Sequence, residues 1–376
     1  MDDQTHLLVT GLYRSGTTFT DRLLDNIPGV SCASQPFPYL YLDVKRRFLE
    51  SRELPVPRYP IGSGFHDPLH LPAEFREYLA TTQLTQSFVR DSFRSMDGYS
   101  GALTPALAEV VDDIPAGTLG QVVRSMHTLL ARRRAPGAQV VGSKDILIEE
   151  FGPALNDAGI NLIIVLRDPR AVLASTIGPS ATDWSGSPRP LLYSVRLWRK
   201  SVAFALGAGA DIRVLRYEQL KENPRQALER CLHAFGIDVD VDIPVTLQGA
   251  DGATWEANTS FPSEKAPRTS FGLTDRQLAF VEALAFPEML ALGYTPVTDI
   301  TAAERALDEF RREDDPGHAH PVFTPDFSTD PVQLALERER LARLRERDPH
   351  DDCQWFVVSG VARLLADAVQ QASTGV

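Results

Sequence analysis

The chain of 376 residues is 43% hydrophobic and 23% charged, which is the ordinary composition of a globular protein. Its formal net charge of −12 disfavours a protein that binds nucleic-acid phosphates, because such proteins are normally basic. Three widely separated cysteines without a CxxC pair argue against a disulfide framework or a zinc site.

The beginning of the chain lacks the basic and apolar regions of a signal peptide. The uninterrupted apolar runs are strand-sized, and Leu162–Leu166 is far shorter than a membrane span. We therefore expect a cytoplasmic protein without a membrane span. The sequence makes no prediction about the oligomeric state.

The first 30 residues predict a strand, a loop and a helix. His6–Thr10 carries the apolar run of the strand, and Gly11 opens the loop. Apolar residues then recur at helical spacing from Phe19 to Ile27, until Pro28-Gly29 stops the helix.

Strands and helices continue to alternate along the rest of the chain. This alternation predicts an α/β fold with a mainly parallel central sheet flanked by helices. We expect residues 1–300 to form this domain and residues 301–376 to form a helical extension packed on it. The predicted helices lie at about 73–95 and 104–134, and the predicted strands lie around Val140 and at 161–166 and 211–217.

The loop after the first strand has the G-x-x-x-x-G spacing of a phosphate-binding loop, from Gly11 to Gly16, so the predicted α/β core is P-loop-like. Backbone N–H groups and the positive end of a helix dipole form an anion cradle in such a loop. The residue after the second glycine is Thr17, whereas ATP- and GTP-using P-loops have lysine there. A P-loop kinase is therefore disfavoured, and the cation of the loop is Arg14.

The run Tyr13–Thr18 resembles the 5′-phosphosulfate loop of sulfotransferases that use PAPS (3′-phosphoadenosine 5′-phosphosulfate), in particular their bacterial small-molecule or carbohydrate branch. A second, independent motif agrees with this resemblance. In the family, an arginine at the end of a strand and a serine eight residues later bind the 3′-phosphate, and Arg167 and Ser175 match both the position and the spacing. Without the family, these two residues would indicate a surface arginine and a helix-packing serine.

The resemblance implies PAPS as cosubstrate, PAP as product and no required metal. Tyr217 matches a family tyrosine near the nucleotide, although a packing role is equally consistent with the sequence. A basic loop with Lys265 and Arg268 is similar to one that closes over the 3′-phosphate, although such loops are usually solvated surface. The implied nucleotide-binding residues are Arg14, Ser15, Gly16, Thr17, Thr18, Arg167, Ser175, Tyr217, Lys265 and Arg268.

The implied catalytic residues are Arg14, Lys144 and Asp145. Arg14 cannot donate a proton, so its contribution is charge stabilisation. Many members of the family have a histidine as general base where this chain has Asp145, and other branches use a carboxylate. A simple Lys144–Asp145 ion pair is the structural alternative, and the rival bases are His66, His70 and His127.

The acceptor pocket is expected from the segments 36–100 and 177–195. The predicted function is transfer of a sulfuryl group from PAPS to a hydroxyl or amine of a small molecule, such as a natural product or a sugar. The alternative is a non-catalytic protein of the same fold that binds PAPS or PAP. Candidate apolar walls of the pocket are Phe37, Tyr39, Tyr41, Phe65, Phe88 and Phe93.

Overall fold

The computed structural model describes most of the chain and divides it into two compact units. The first unit comprises residues 1–63, 71–166 and 208–259, and the second comprises 64–70, 167–207 and 260–376. The described residues are 4–57, 59–62, 71–94, 103–177, 188–207, 212–249, 252–255, 271–318, 328–345 and 353–374.

The first unit contains a five-stranded sheet in which every pair of neighbouring strands is parallel. The strand order is β2-β3-β1-β4-β5, so the strand that precedes the predicted phosphate loop lies at the centre. This arrangement confirms the predicted α/β fold with a parallel sheet. The strands are β1 (Thr5–Thr10), β2 (Val30–Ser34), β3 (Val140–Lys144), β4 (Ile160–Leu166) and β5 (Ile212–Arg216).

Central parallel strands are apolar throughout because helices cover both faces of the sheet. Leu7, Leu8 and Val9 of β1 are accordingly all buried, as are Ile163 and Val165 of β4. Strand β2 was not predicted, because its sequence VSCAS is short and contains only one strongly strand-favouring residue.

Helices surround this sheet in the first unit. The helix after the phosphate loop ends at Asp25, so Ile27 lies beyond it, and the predicted helix at 73–95 is two helices. The helices are α1 (Thr17–Asp25), α2 (Pro38–Ser51), α3 (Pro72–Thr81), α4 (Gln86–Arg94), α5 (Leu107–Val110), α6 (Leu119–Arg134), α7 (Gly152–Asp157), α10 (Tyr217–Glu222) and α11 (Pro224–His233).

The described part of the second unit is helical. Within it, the helix Asp275–Ala291 contacts two helices that precede it, Pro169–Ile177 and Leu191–Leu206, and two that follow it, Ile300–Glu309 and Val361–Thr374. The helices after residue 300 therefore pack on earlier helices of the same unit. The predicted domain boundary at residue 300 stays a prediction. The helices are α8 (Pro169–Ile177), α9 (Leu191–Leu206), α12 (Asp275–Ala291), α13 (Ile300–Glu309), α14 (Pro331–Arg345), α15 (Cys353–Phe356) and α16 (Val361–Thr374). Among the described helices of the chain, none is long and apolar enough to span a membrane.

Candidate functional site

The carboxyl end of β1 leads into the glycine-bounded loop, whose backbone leaves the common conformations. Arg14 has a φ of 66° and Gly16 has a φ of 96°. A left-handed conformation costs a non-glycine residue about 1–2 kcal/mol, and such strain is typical of functional loops. The loop is closed by the Ser15 N–H, which donates to the Leu12 carbonyl at 3.1 Å.

Both glycines of the motif are required by close neighbours as well as by their conformation. A Cβ atom on Gly11 would lie 2.4 Å from the Val165 carbonyl oxygen, and one on Gly16 would lie 2.3 Å from the Tyr217 ring. Tyr217 is 3% exposed, and its ring packs edge-on against the ring of Phe19, with 6.3 Å between the two ring centroids. The structure therefore brings Tyr217 against the phosphate loop as a packing residue, and its contact with a nucleotide stays a prediction.

The loop ends at the N-terminus of α1, where Gly16 is the capping residue and supplies no side-chain hydrogen bond. The first N–H groups of a helix have no partner inside the helix, and the helix dipole adds positive potential there. The Ser15 hydroxyl is buried beside this end without a hydrogen-bond partner among the described residues. Thr17 is buried and Thr18 is exposed. The loop thus offers several donors to an anion.

Lys144 is the last residue of β3, and the register of the sheet places it beside Val9 of β1. Its Nζ lies 3.4 Å from the Thr18 hydroxyl and 3.5 Å from Asp21 Oδ2. The structure therefore places Lys144 beside the phosphate loop, and its catalytic role stays a prediction.

Asp21 and Ser34 belong to the same cluster, and sequence reasoning missed both. The Ser34 hydroxyl donates to Asp21 Oδ2 at 2.7 Å, and burial raises the pKa of Asp21 although Lys144 and Arg22 lower it. Asp21 follows Thr17 by four residues, so both lie on the same buried face of α1. An acidic residue on a buried helix face was the signal by which the sequence could have indicated Asp21.

Asp145 follows Lys144 directly and is 1% exposed. Burial raises the pKa of this carboxyl to about 7, and Asp21 adds to the rise. Lys144, the Ser143 hydroxyl and the Phe37 backbone N–H lower it by less. A carboxyl with a pKa near 7 exchanges protons readily at neutral pH, which suits a general base.

The two oxygens of Asp145 have different surroundings. Oδ2 accepts a hydrogen bond from the Ser143 hydroxyl at 3.3 Å, whereas Oδ1 has no hydrogen-bond partner among the described residues. Lys144 forms an ion pair with Asp21, and the distance between its Nζ and Asp21 Oδ2 is 3.5 Å. The structural alternative of a simple Lys144–Asp145 pair therefore leaves out this partner. Oδ1 is therefore the oxygen available to accept a proton.

Two of the aromatic residues predicted for the acceptor pocket interact electrostatically with Asp145. The backbone N–H of Phe37 lowers the pKa of Asp145, and burial, together with the charge of Asp145, raises the pKa of Tyr41. The Tyr41 hydroxyl is buried without a hydrogen-bond partner in the described part of the chain. Phe88 and Phe93 of α4 are buried, Tyr39 is partly exposed, and Phe65 lies outside the described residues.

Of the three rival histidines, only His127 lies within the described residues. It is buried on α6, and its Nε2 lies 2.9 Å from the Ser143 hydroxyl. Burial, with His6 and Arg124 nearby, holds its pKa well below the usual value for histidine. A neutral imidazole is therefore expected at pH 7. His66 and His70 fall outside the described residues.

The predicted 3′-phosphate residues lie in the second unit. Arg167 follows Leu166, the last residue of β4, and its carbonyl accepts a hydrogen bond from the Trp198 indole at 2.9 Å. Ser175 lies in α8, and both side chains are partly exposed. Lys265 and Arg268 lie outside the described residues. The 3′-phosphate role of these four residues stays a prediction.

Solved structures similar to this chain include three sulfotransferases or sulfotransferase domains. One is the sulfotransferase domain from the curacin biosynthetic pathway, with 15% identity, a TM-score of 0.34 and coverage of 62% of this chain and 75% of that chain. Another is the sulfotransferase STF9 from Mycobacterium avium, with 16% identity, a TM-score of 0.34 and coverage of 63% and 65%. The third is the sulfotransferase domain from the olefin synthase of Synechococcus PCC 7002, with 16% identity, a TM-score of 0.33 and coverage of 88% and 93%.

No family model and no curated protein matches the chain.

Proposed function

We propose that the protein transfers a sulfuryl group from PAPS to a hydroxyl or amine of a small acceptor molecule. The observation that carries the proposal is the meeting of two features at the carboxyl ends of β1 and β3. One is an anion cradle without the lysine of an ATP-binding loop, and the other is a buried carboxyl whose pKa is about 7. Together they suit anionic group transfer to an acceptor that loses a proton.

The residues of the phosphate loop fit the 5′-phosphosulfate end of PAPS. Ser15 has a buried hydroxyl without a partner among the described residues, and the uncapped helix end supplies N–H donors. Lys144 adds a positive charge at Thr18, 3.4 Å away. In this proposal Arg167 and Ser175 bind the 3′-phosphate, which is the group that distinguishes PAPS from ATP.

When bound, PAPS supplies the sulfuryl group, whose bond to the 5′-phosphate oxygen breaks as a bond to the acceptor oxygen or nitrogen forms. Arg14, Thr17 and Lys144 neutralise the charge that develops on the departing phosphate. Asp145 Oδ1 takes the proton of the acceptor, since Oδ2 already accepts a bond from Ser143. Phe37 and Tyr41, which interact electrostatically with Asp145, contribute to the acceptor side of the site.

Ligand preference tests the nucleotide assignment. PAP should raise the melting temperature more than Mg·ATP, because the loop lacks the P-loop lysine and the proposed second site binds a 3′-phosphate. At 100 times Kd, a ligand stabilises the folded state by about 2.7 kcal/mol, which thermal-shift measurements detect easily. Equal or greater stabilisation by Mg·ATP would contradict the assignment.

Incubation with labelled PAPS and a panel of phenols, sugars and amines then tests catalysis. We expect the label to appear on at least one acceptor class. Stabilisation by PAP without transfer to any acceptor, and without slow hydrolysis of PAPS, would favour the non-catalytic binding protein.

A further inference from the structure

A chain of buried hydrogen-bonding side chains leads from the interior of the first unit to Asp145. His6 Nδ1 lies 3.4 Å from His127 Nδ1, His127 Nε2 lies 2.9 Å from the Ser143 hydroxyl, and that hydroxyl lies 3.3 Å from Asp145 Oδ2. The four side chains come from β1, α6 and the end of β3, and each is at most 1% exposed.

The proton inventory of these groups gives the chain one direction. Ser143 has a single hydroxyl proton, and an ionised Asp145 can only accept, so this proton points to Oδ2. The Ser143 oxygen must then accept from His127, whose Nε2 therefore carries the proton. A neutral His127 with its proton on Nε2 has an accepting Nδ1, to which the Nδ1–H of His6 donates. Every bond thus donates toward Asp145.

We propose that Ser143 and His127 are positioning residues for Asp145, which orient its carboxyl through Oδ2 and leave Oδ1 as the oxygen that receives the acceptor proton. The chain serves Asp145 in both protonation states, because Oδ2 remains an acceptor when the proton resides on Oδ1. His127 accordingly acts through Ser143 and is not itself the base. The consequence for turnover rests on the proposed function, whereas the effect on Asp145 does not.

Bonds that donate in one direction polarise one another, so the loss of a distant member weakens the bond that reaches the carboxyl. The other groups that interact with Asp145 are Lys144 of β3, Asp21 of α1, Tyr41 of α2, and the backbone N–H of Phe37, which directly precedes α2. His127 is faced by His6 from β1 and by Arg124 from its own helix. None of these groups is removed by the substitutions below.

The direct test is an NMR titration of the Asp145 carboxyl carbon in protein without ligand, assigned with Asp145→Asn. Ser143→Ala removes a hydrogen bond to the ionised form, so it should raise the pKa of Asp145 by about 1. His127→Phe should raise it by a smaller amount. His127→Gln retains an N–H donor near the Nε2 position and should restore the wild-type titration.

Ser31→Ala is the matched control, because Ser31 is a buried serine of β2 whose hydroxyl faces Arg134 instead of Asp145. It should leave the Asp145 titration unchanged. If Ser143→Ala does not fold, Ser143→Cys conserves the volume and weakens the donor, and it should still raise the pKa. An unchanged or lowered pKa of Asp145 in the folded Ser143 variant would overturn the proposal.

Turnover gives a second readout that separates the two proposals. If the protein is a sulfotransferase, the alkaline shift should appear equally in the pH profile of kcat, with the KM for PAPS unchanged. A shifted titration in a protein without transfer activity would refute the proposed function but retain the positioning role. An unshifted titration of Asp145 in an enzyme that transfers sulfuryl groups would refute the positioning role and retain the proposed function.

Discussion

At the scale of single residues, Asp145 is the group on which the proposed chemistry depends. It is buried, one of its oxygens is held by Ser143, and its pKa of about 7 lies far above that of an ordinary aspartate. Burial dominates because three stabilising neighbours do not compensate for the loss of water around the charge.

Replacement of this carboxyl by an amide tests its role as base. Asp145→Asn conserves size but cannot take a proton, so turnover should fall by at least about 100-fold while PAP binding is retained. In the wild type, turnover should increase as the pH rises through about 7, because only the ionised carboxyl is a base. Steady-state kinetics and a PAP titration measure both. Retained turnover would move the role to His127, His66 or His70.

The same variant has a distinct signature in stability. The folded pKa of Asp145 is raised above the unfolded value, so its contribution to stability is fully present below the unfolded pKa and is lost as the pH rises through about 7. Asp145→Asn should therefore unfold at higher denaturant concentration than the wild type at pH 8.5, with a smaller difference at pH 5.5. A gain confined to pH 5.5 would contradict the burial of an ionisable Asp145.

At the scale of elements, the junction of β1, the loop and α1 depends on two close approaches. Gly16→Ala would drive a Cβ into the Tyr217 ring at 2.3 Å, and its φ of 96° is unfavourable for alanine. We expect a loss of more than about 2 kcal/mol of stability and a large loss of PAP affinity. Gly29→Ala is the matched control, since its φ is 80° but no atom lies within 4 Å of the added Cβ. It should cost only about 1 kcal/mol and leave affinity intact. Equal losses in both would show that the Tyr217 contact is unimportant.

The junction of β4 and α8 carries the prediction for the 3′-phosphate. Arg167→Ala should weaken PAP binding by about 2 kcal/mol, because it removes a charge-assisted contact. Adenosine 5′-phosphosulfate lacks the 3′-phosphate, so its affinity should hardly change, and isothermal titration of both ligands provides the comparison. Similar weakening of both would mean that Arg167 supports the fold or the 5′ side.

At the scale of the whole molecule, some acidic residues of this acidic chain form buried ion pairs. In the second unit, Glu337 of α14 is buried between Arg196 and Arg199 of α9, at 2.7 and 2.5 Å. On the same helix, Arg340 pairs with Glu288 of α12. These pairs fix the register of a helix after residue 300 on helices before it, so this helix is an integral part of the unit's core.

Removal of the Glu337 charge should therefore be costly. Glu337→Gln leaves two buried guanidinium groups without their carboxylate, and we expect a loss of about 3–5 kcal/mol in the free energy of unfolding. Glu339→Gln, two residues further along α14, breaks only an exposed pair with Arg343 and should cost less than about 0.5 kcal/mol. Chemical denaturation of both variants measures the difference. Equal, small effects would show that α14 is a loosely attached extension.

The α/β class and the loop from Gly11 to Gly16 could be predicted from the sequence alone. These features are local, because hydrophobic period, glycine spacing and the following helix are all contained within a short stretch of chain. The family resemblance also indicated Lys144 and Asp145, of which Lys144 ends β3 and Asp145 follows it directly.

The surroundings of these residues, by contrast, depend on the tertiary fold. Parallel pairing places β3 beside β1, and helices over the sheet then bring together side chains as distant as His6 and His127, 121 residues apart. No local pattern specifies such a contact, because it depends on sheet order and register. Packing alone therefore decided which side chains meet at the site. It places Asp21 and Ser34 beside Lys144 and His127 beside Ser143, and it lets Tyr41 interact with Asp145. The same burial, which the sequence does not encode locally, raises the pKa of Asp145 to about 7.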